Sequence, residues 1–355
     1  MYVRLSSLTQ ERQARKPDVH LDPTRSMKIG ITYDLKGDVA ACADVPDDFQ
    51  EEFDSPATIE AIAAVLRAAG HTPVFLGDGP EMIRRVMADP VDLVFNIAEG
   101  QGVSRSREAR VPAVLEMLGI PYTGSDPLTL AATLDKDCAR RLVRSHGGLT
   151  PWGAVWEPGD DPTAWAARHT MPFPVIVKPA WEGSSKGIRG KCVVDTVDDL
   201  LAALEERLDQ RQPLLVEEYI EGEELTVGVL GNSPPRLLGV LRVVPTQVSS
   251  RFVYSLEVKR NYAEHVRYEC PPQLPAEQLR AVEDAALFVY RCLGCRDVAR
   301  IDFRLRDGVP YFLEVNPLPG LNPETSDLVI LSTKSGLDHA GLIRGILDAA
   351  VRRMG

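Results

Sequence analysis

The chain has 355 residues, 44% of them apolar and 26% charged, which is the balance of a folded globular protein and length enough for two or three domains. Forty Lys and Arg against 51 Asp and Glu give a formal net charge of −11, a field that repels nucleic-acid backbones and anionic bilayers, so no nucleic acid and no membrane is expected as a partner. No apolar run approaches the ~18 residues of a membrane span, residues 1–26 lack the apolar core of a signal peptide, and six scattered cysteines imply no disulfide framework, so a cytoplasmic protein is expected.

Residues 1–26 carry Arg4, Arg12, Arg15, Lys16 and Arg25 among few large apolar side chains, and read as a loose leader ahead of Met27. Residues 28–33 then read as a buried strand, 56–69 as an Ala-rich helix stopped by Gly70, and 73–76 as a second strand. A helix over 81–87 leads into the apolar run 91–97, of the kind that parallel strands show when both faces are covered. This alternation predicts an open parallel α/β domain over 27–125.

Helical spacing over 127–145 predicts one helix ended by Gly147-Gly148, after which the texture changes to strands and short polar loops. Strands at 175–178, 191–194 and 214–218, with a helix over 197–208, predict a small α+β unit spanning 126–215. The last unit, 216–355, should hold strands at 224–230 and 237–244, a helix over 277–293, two further strands and a terminal helix. Between them, 245–272 shows no regular pattern and reads as a lid or binding loop.

Three clusters of residues carry chemistry. Residues 300–305 and 311–316 form two strands joined through Arg306-Asp307-Gly308, a hairpin. A three-residue loop would set Arg300 opposite Glu314 and Asp302 opposite Phe312, so that Arg300, Asp302, Glu314 and Asn316 share one face. A two-residue Asp-Gly loop would part Asp302 from Glu314. Carboxylates and an amide on a rigid sheet face suit Mg²⁺, which takes hard oxygen ligands together with phosphates; a solvated face paired with Arg300 and Arg304 is the alternative. In the second cluster, a strand ending in Lys178 runs into the small-residue loop 179–187, whose backbone N–H groups suit phosphate oxygens, although an ordinary Gly-Ser turn has the same composition. The third, Glu217-Glu218-Tyr219-Ile220-Glu221-Gly222-Glu223-Glu224, crowds five carboxylates into eight residues. It is either a charged surface turn or the edge of an adenine pocket with a carboxylate for ribose hydroxyls.

Together these segments resemble the ATP-grasp superfamily, and within it the D-alanine:D-alanine ligases. The resemblance is carried in order by residues 118–125, 134–136, 177–180 with 182–185, 215–218, 294–295 with 300–302, and 314–316 with 319–320. It implies a three-domain architecture, an N-terminal open parallel α/β domain followed by central and C-terminal α+β domains that hold ATP between them. It further implies that Lys136 and Lys178 contact ATP phosphates, Glu217, Glu218 and Ile220 line the adenine site, and Glu224 binds the ribose. Asp302, Glu314 and Asn316 would hold two Mg²⁺ ions, with Mn²⁺ as a substitute. Arg300 and the Gly320 N–H would stabilise an oxyanion, Lys259 would reach the transferred phosphate, and the loop of Ser184 and Ser185 would close over the reacting groups. The implied reaction is ATP-dependent joining of a small-molecule carboxylate to an amine through an acyl phosphate, by default D-alanyl-D-alanine synthesis for peptidoglycan, and a homodimer fits the family.

Departures from the family pattern fall around the first-substrate site. A longer acidic insertion over 34–53 stands where a short glycine-rich turn with a glutamate is expected; alignment back from the following helix places Glu51 in that role, with Glu52 or Asp54 as the alternatives, and Glu182 belongs to the same substrate-binding set. Residues 98–109 replace the usual His-Gly turn, the family serine after Gly320 aligns with Thr325, and an apolar neighbour becomes Ser326. The added Arg105, Arg107 and Lys186 suggest a bulkier or more acidic substrate. Another dipeptide product, an ATP-grasp kinase acting on a hydroxyl, and a nucleotide-binding scaffold are the alternative readings. Arg300 with Gly320, needed only for acyl transfer, argues against the kinase, and the complete metal set argues against the scaffold.

Overall fold

The structure is a computed structural model that describes residues 25–37, 48–183, 186–187, 192–207, 212–247 and 251–354. The leader over 1–26 therefore lies, apart from Arg25 and Ser26, outside the described residues, as do Ser184 and Ser185. Strand β1 (Lys28–Thr32) is followed by α1 (Pro56–Ala68), β2 (Thr72–Phe75), α2 (Gly79–Ala88) and β3 (Leu93–Asn96). The three strands form a parallel sheet in the order β2-β1-β3, and every residue of β3 is buried, as the apolar run required. Helix α1 begins where Ser55 accepts the Thr58 N–H and Pro56 occupies the first turn, a pairing that satisfies one orphan donor and omits another. After a 3-10 turn at Arg107–Ala109, α3 (Arg110–Leu118) ends on the left-handed Gly119.

The single helix expected over 127–145 is two, α4 (Pro127–Leu134) and α5 (Lys136–Ser145). Asp135 breaks the path at φ −83°, ψ 102° and its carboxylate accepts the Cys138 N–H at 2.9 Å. An aspartate gains more by capping a new helix than by sitting inside an old one.

The next unit is an antiparallel sheet built from β4 (Gly153–Trp156), β5 (Val175–Pro179), β6 (Val193–Val194) and β7 (Leu214–Glu218), in the order β4-β7-β5-β6. Helices α6 (Pro162–Ala167) and α7 (Val197–Glu205) cover it with Trp165, Leu200 and Leu204. A larger antiparallel sheet follows: β8 (Glu223–Leu230), β9 (Arg236–Pro245), β10 (Val266–Glu269), β11 (Val298–Arg306) and β12 (Val309–Asn316), ordered β10-β9-β8-β11-β12. Helix α10 (Ala276–Cys292) packs Val282, Ala286 and Val289 against it. Residues 245–272, expected to be irregular, hold α8 (Leu256–Arg260), α9 (Tyr262–His265) and the edge strand β10, whose four residues are too few to show a period.

The β11–β12 hairpin turns through two residues, with Asp307 at φ 53° and Gly308 at φ 79° and Arg306 opposite Val309, where a three-residue loop was expected. A regular ladder would then part Asp302 from Glu314. A bulge at Leu313 restores the parity: Phe303 faces Phe312, but Asp302 faces Glu314 and Arg300 faces Asn316. The four residues share one face by a different register from the one expected.

The chain closes with α11 (Asp327–Lys334) and α12 (His339–Met354). Leu342, Ile343 and Ile346 of α12 share one core with Ile59, Ile62 and Leu66 of α1, so the last helix completes the packing of the first. Among the described residues no helix is long and apolar enough to cross a membrane.

Candidate active site

The two antiparallel sheets face each other across a cleft lined by Lys178 of β5, Glu217 and Glu218 of β7, Tyr219 and Ile220 beyond it, Glu224 and Thr226 of β8, Lys259 of α8, and Arg300, Asp302 and Glu314 of β11 and β12. On one wall, the buried Lys178 Nζ lies 2.7 Å from Glu217 Oε2, while Glu217 Oε1 is buried without a partner. Glu218 is held by Arg306 at 2.7 Å, and Ile220 is buried. On the other wall, Arg304 Nη2 sits 2.7 Å from Glu224 Oε2.

The floor is the face that the bulge assembles. Arg300 Nη2 lies 2.9 Å from Asp302 Oδ2 and 3.5 Å from Glu314 Oε1, and Thr226 Oγ1 donates to Asp302 Oδ1 at 2.8 Å. Burial, joined by the carboxylate of Glu314 and opposed by Arg300, pushes the Asp302 carboxyl above its ordinary range. Burial also raises Glu314, but Lys136, Arg300, Lys178 and Lys259 outweigh it and hold that carboxyl low. Three lysines from separate elements thus converge on one carboxylate. Asn316 stands beyond it, its Oδ1 accepting the Leu318 N–H at 2.9 Å. Lys136, buried at the first turn of α5, donates to the Glu182 carbonyl and lies 3.8 Å from Glu314 Oε2.

A second cavity adjoins Glu314 and Asn316 and is lined by Glu52, Glu99, Glu108, Lys136 and Glu182. Arg107, Lys186 and two of these carboxylates form a buried set: Arg107 Nη2 to Glu52 Oε2 at 2.8 Å and to Glu182 Oε2 at 3.3 Å, and Lys186 Nζ to the same oxygens at 3.3 and 2.6 Å. Gly183 N–H adds a 2.6 Å bond to Glu52 Oε1. Burial alone would raise Glu52, but Arg107, Lys186 and that N–H hold it below its usual value. Arg105 pairs with Asp135 at 2.5 Å. All three cations expected to favour an acidic substrate are therefore matched by carboxylates of the chain itself.

The turn that carries Glu99 depends on a glycine. Gly100 has φ +78°, its N–H donates to Asp34 Oδ2 at 2.8 Å, and a Cβ there would meet the Arg107 carbonyl oxygen at 2.5 Å. Glu99 and Glu108 are thereby brought to one cavity. Burial, then Glu108 and Glu52, push Glu99 well above its ordinary range, and burial pushes Glu108 to about 8 against the pull of Arg107.

Other expected site residues lie elsewhere. Glu51 is half-buried and paired with Arg260 at 2.9 Å. Gly320 and Thr325 are exposed in the loop between β12 and α11, where Ser326 Oγ accepts the Asn322 N–H at 2.9 Å. Sequence reasoning missed Asp327, whose Oδ1 accepts the Tyr268 hydroxyl at 2.9 Å and whose Oδ2 lies 3.9 Å from Arg300. It also missed Glu99 and Glu108. Neither set has a local spacing signal, because each partner arrives from a distant segment.

Two antiparallel sheets closing on lysines and a carboxylate-amide face, behind a parallel N-terminal sheet, define an ATP-grasp architecture. Crystal structures of D-alanine–D-alanine ligase from Bacillus anthracis superpose with TM-scores of 0.71 and, for the complex with ATP, 0.69, at 25% and 24% identity, each covering 93% of this chain and 99% of the other. The family described as D-ala D-ala ligase C-terminus matches residues 155–348. The D-alanine–D-alanine ligase of Desulforudis audaxviator is 31% identical over 295 residues, 82% of this chain and 92% of its own. An uncharacterized protein of Sinorhizobium fredii is 34% identical over 307 residues, 83% and 87% of the two chains. The chain belongs to the D-alanine–D-alanine ligase family.

Proposed function

We propose that the protein is an ATP-dependent carboxylate-amine ligase, with D-alanyl-D-alanine as its default product. The observation that carries this reading is the single face of Arg300, Asp302, Glu314 and Asn316 set opposite Lys136, Lys178 and Lys259. Two carboxylates and an amide are a donor set that fits Mg²⁺ or Mn²⁺, and the unpartnered Glu217 Oε1 fits a donor such as a nucleotide amino group. Asp302, Glu314 and Asn316 would hold the metal, which would neutralise charge on the phosphates.

In this reading Lys178 exchanges Glu217 for phosphate oxygens, Lys136 and Lys259 hold the transferred group, and Glu217, Glu218 and Ile220 border the adenine. Glu224 takes the ribose hydroxyls. A substrate carboxylate oxygen attacks the γ-phosphorus and ADP leaves. An amine nitrogen then attacks the acyl carbon, Arg300 and the Gly320 N–H stabilise the charge on the carbonyl oxygen, and inorganic phosphate departs as the amide forms. Glu51, Glu182, Thr325 and Ser326 are proposed as substrate contacts, and Ser184 and Ser185 as the loop that excludes water.

The test is ADP and phosphate release with Mg²⁺-ATP across D- and L-amino acids and dipeptides, with mass spectrometry of the products. D-alanine alone is expected to give the dipeptide. ADP formation that yields a phosphorylated hydroxyl compound and needs no amine would overturn the ligase reading.

A further inference from the structure

Arg304 of β11 is buried, and its guanidinium reaches three segments that are separate in sequence. Nη1 donates to the Gly222 carbonyl at 3.1 Å, in the turn between β7 and β8. Nη2 donates to Glu224 Oε2 at 2.7 Å and to the Phe252 carbonyl, and the guanidinium carbon stands 5.2 Å from the centre of the Tyr219 ring. The Tyr219 hydroxyl donates to the same Phe252 carbonyl at 2.8 Å. The turn lies this close because Gly222, at φ +132°, has no Cβ; one there would stand 2.0 Å from the Leu305 carbonyl oxygen. A planar fork of N–H donors holds several acceptors in fixed geometry, which a single ammonium does not.

From Phe252 the chain runs to Lys259 by a short, braced path. Ser255 N–H donates to the Val253 carbonyl at 2.8 Å, the Ser255 side chain caps α8, and Lys259 N–H donates to the Ser255 carbonyl at 2.9 Å. Moving Phe252 therefore moves Lys259, one of the cations that hold Glu314 low. Glu224 is the other end of the link: it lines the cleft, burial raises its carboxyl, and Arg304 opposes that rise.

We propose that Arg304 is a positioning residue that couples two tasks: it orients Glu224 for the ribose hydroxyls and, through the Phe252 carbonyl, places Lys259 on the transferred phosphate. This rests on the roles of Glu224 and Lys259 in the ligase reading, and it makes phosphoryl transfer depend on how the ribose is held.

ADP release is measured on the full chain with Mg²⁺ and the acid and amine that support turnover, for ATP, 2′-deoxy-ATP and 3′-deoxy-ATP. The variants are Arg304→Met, Arg304→Lys, Lys259→Ala and the double variant Arg304→Lys with Lys259→Ala. Arg304→Met should raise KM for ATP about tenfold and leave KM for the deoxynucleotide that the wild type uses worst within about twofold. Arg304→Lys returns a charge to Glu224 and should recover most of that KM, yet it cannot also hold Phe252 and should keep a kcat loss of about tenfold or more. In the Lys259→Ala background the same change should cost less than about twofold in kcat, because the group it places is gone. Arg304→Lys, which keeps the buried charge, carries the test if Arg304→Met does not fold. Equal KM increases for ATP and the deoxynucleotides, or kcat losses that multiply in the double variant, overturn the coupling and leave the ligase reading standing. The expected pattern with a phosphorylated hydroxyl compound as product retains the coupling and removes the ligase. A wild type that turns over no mixture overturns both.

Discussion

A single carboxylate in this protein changes its chemistry with what surrounds it. Asp34 is nearly inaccessible, with Oδ2 on the Gly100 N–H and Oδ1 lacking a partner; burial and the charge of Asp78 push it up to about 7. Burial and Asp34 do the same to Asp54. The unfolded chain titrates these groups near 4, so between about pH 4 and 7 the folded state binds more protons than the unfolded one. Their contribution is fully present below pH 4 and is lost as pH rises through 7. Asp34→Asn should therefore flatten the pH dependence of urea stability in that window and add on the order of 1 kcal/mol at pH 8; an unchanged slope would refute the assignment. In the cleft, Asp302→Asn and Glu314→Gln preserve volume and remove the charge proposed to hold the metal. ADP formation should fall roughly a thousandfold in each, with thermal unfolding little changed. These two residues were legible as polar side chains in apolar strands, whereas no local pattern singles out Asp34, Glu99 or Glu108, whose surroundings come from distant segments.

At the scale of elements, small backbone decisions place these side chains. Leu313 is bulged out of the β12 ladder, and were it paired regularly the two-residue turn would direct Glu314 to the face opposite Asp302. Asp135 ends α4 and begins α5, and so puts Lys136 at a buried first turn beside Glu182. Asp135→Ala removes the cap on the Cys138 N–H and the partner of Arg105. It should cost about 1 kcal/mol in chemical denaturation and raise KM for ATP more than it lowers kcat. A pure loss of kcat would mean that α5 does not position Lys136 for the nucleotide. Helical periodicity found both ends of this segment but not its break, because an aspartate between two apolar-periodic stretches fits either one helix or two.

The whole molecule is tied by contacts that join its extremes. Asp297 is fully buried at φ 66°, and its carboxylate accepts from the Gly124 N–H, from Asn232 Nδ2 and from Arg353 Nη2, each at 2.8 Å. Asp297→Ala would leave the Gly124 N–H without its acceptor, take the charged partner from Arg353 and one acceptor from Asn232, which keep the Tyr122 and Ala349 carbonyls, and force alanine to hold a left-handed backbone. It should cost about 3–5 kcal/mol by denaturant titration, with Asp297→Asn losing less because it keeps an acceptor and tolerates that conformation; equal losses in the two variants would mean that the carboxylate charge facing Arg353, and neither the backbone nor the retained acceptor, sets the cost. The order and type of most elements, the parallel beginning, the strand that ends in Lys178 and the polar residues Asp302, Glu314 and Asn316 within their strands were determined by the amino-acid sequence alone. Each is written in local periodicity or in polar residues set in apolar runs, and short-range physics reads such signals. The parity of the hairpin, the pairing of Arg107 and Lys186 with Glu52 and Glu182, the meeting of Glu99 and Glu108 at one cavity and the seating of α12 on α1 were decided only by the tertiary structure. Those depend on which distant segments meet in a low-dielectric interior, where a charge has either a partner or a cost.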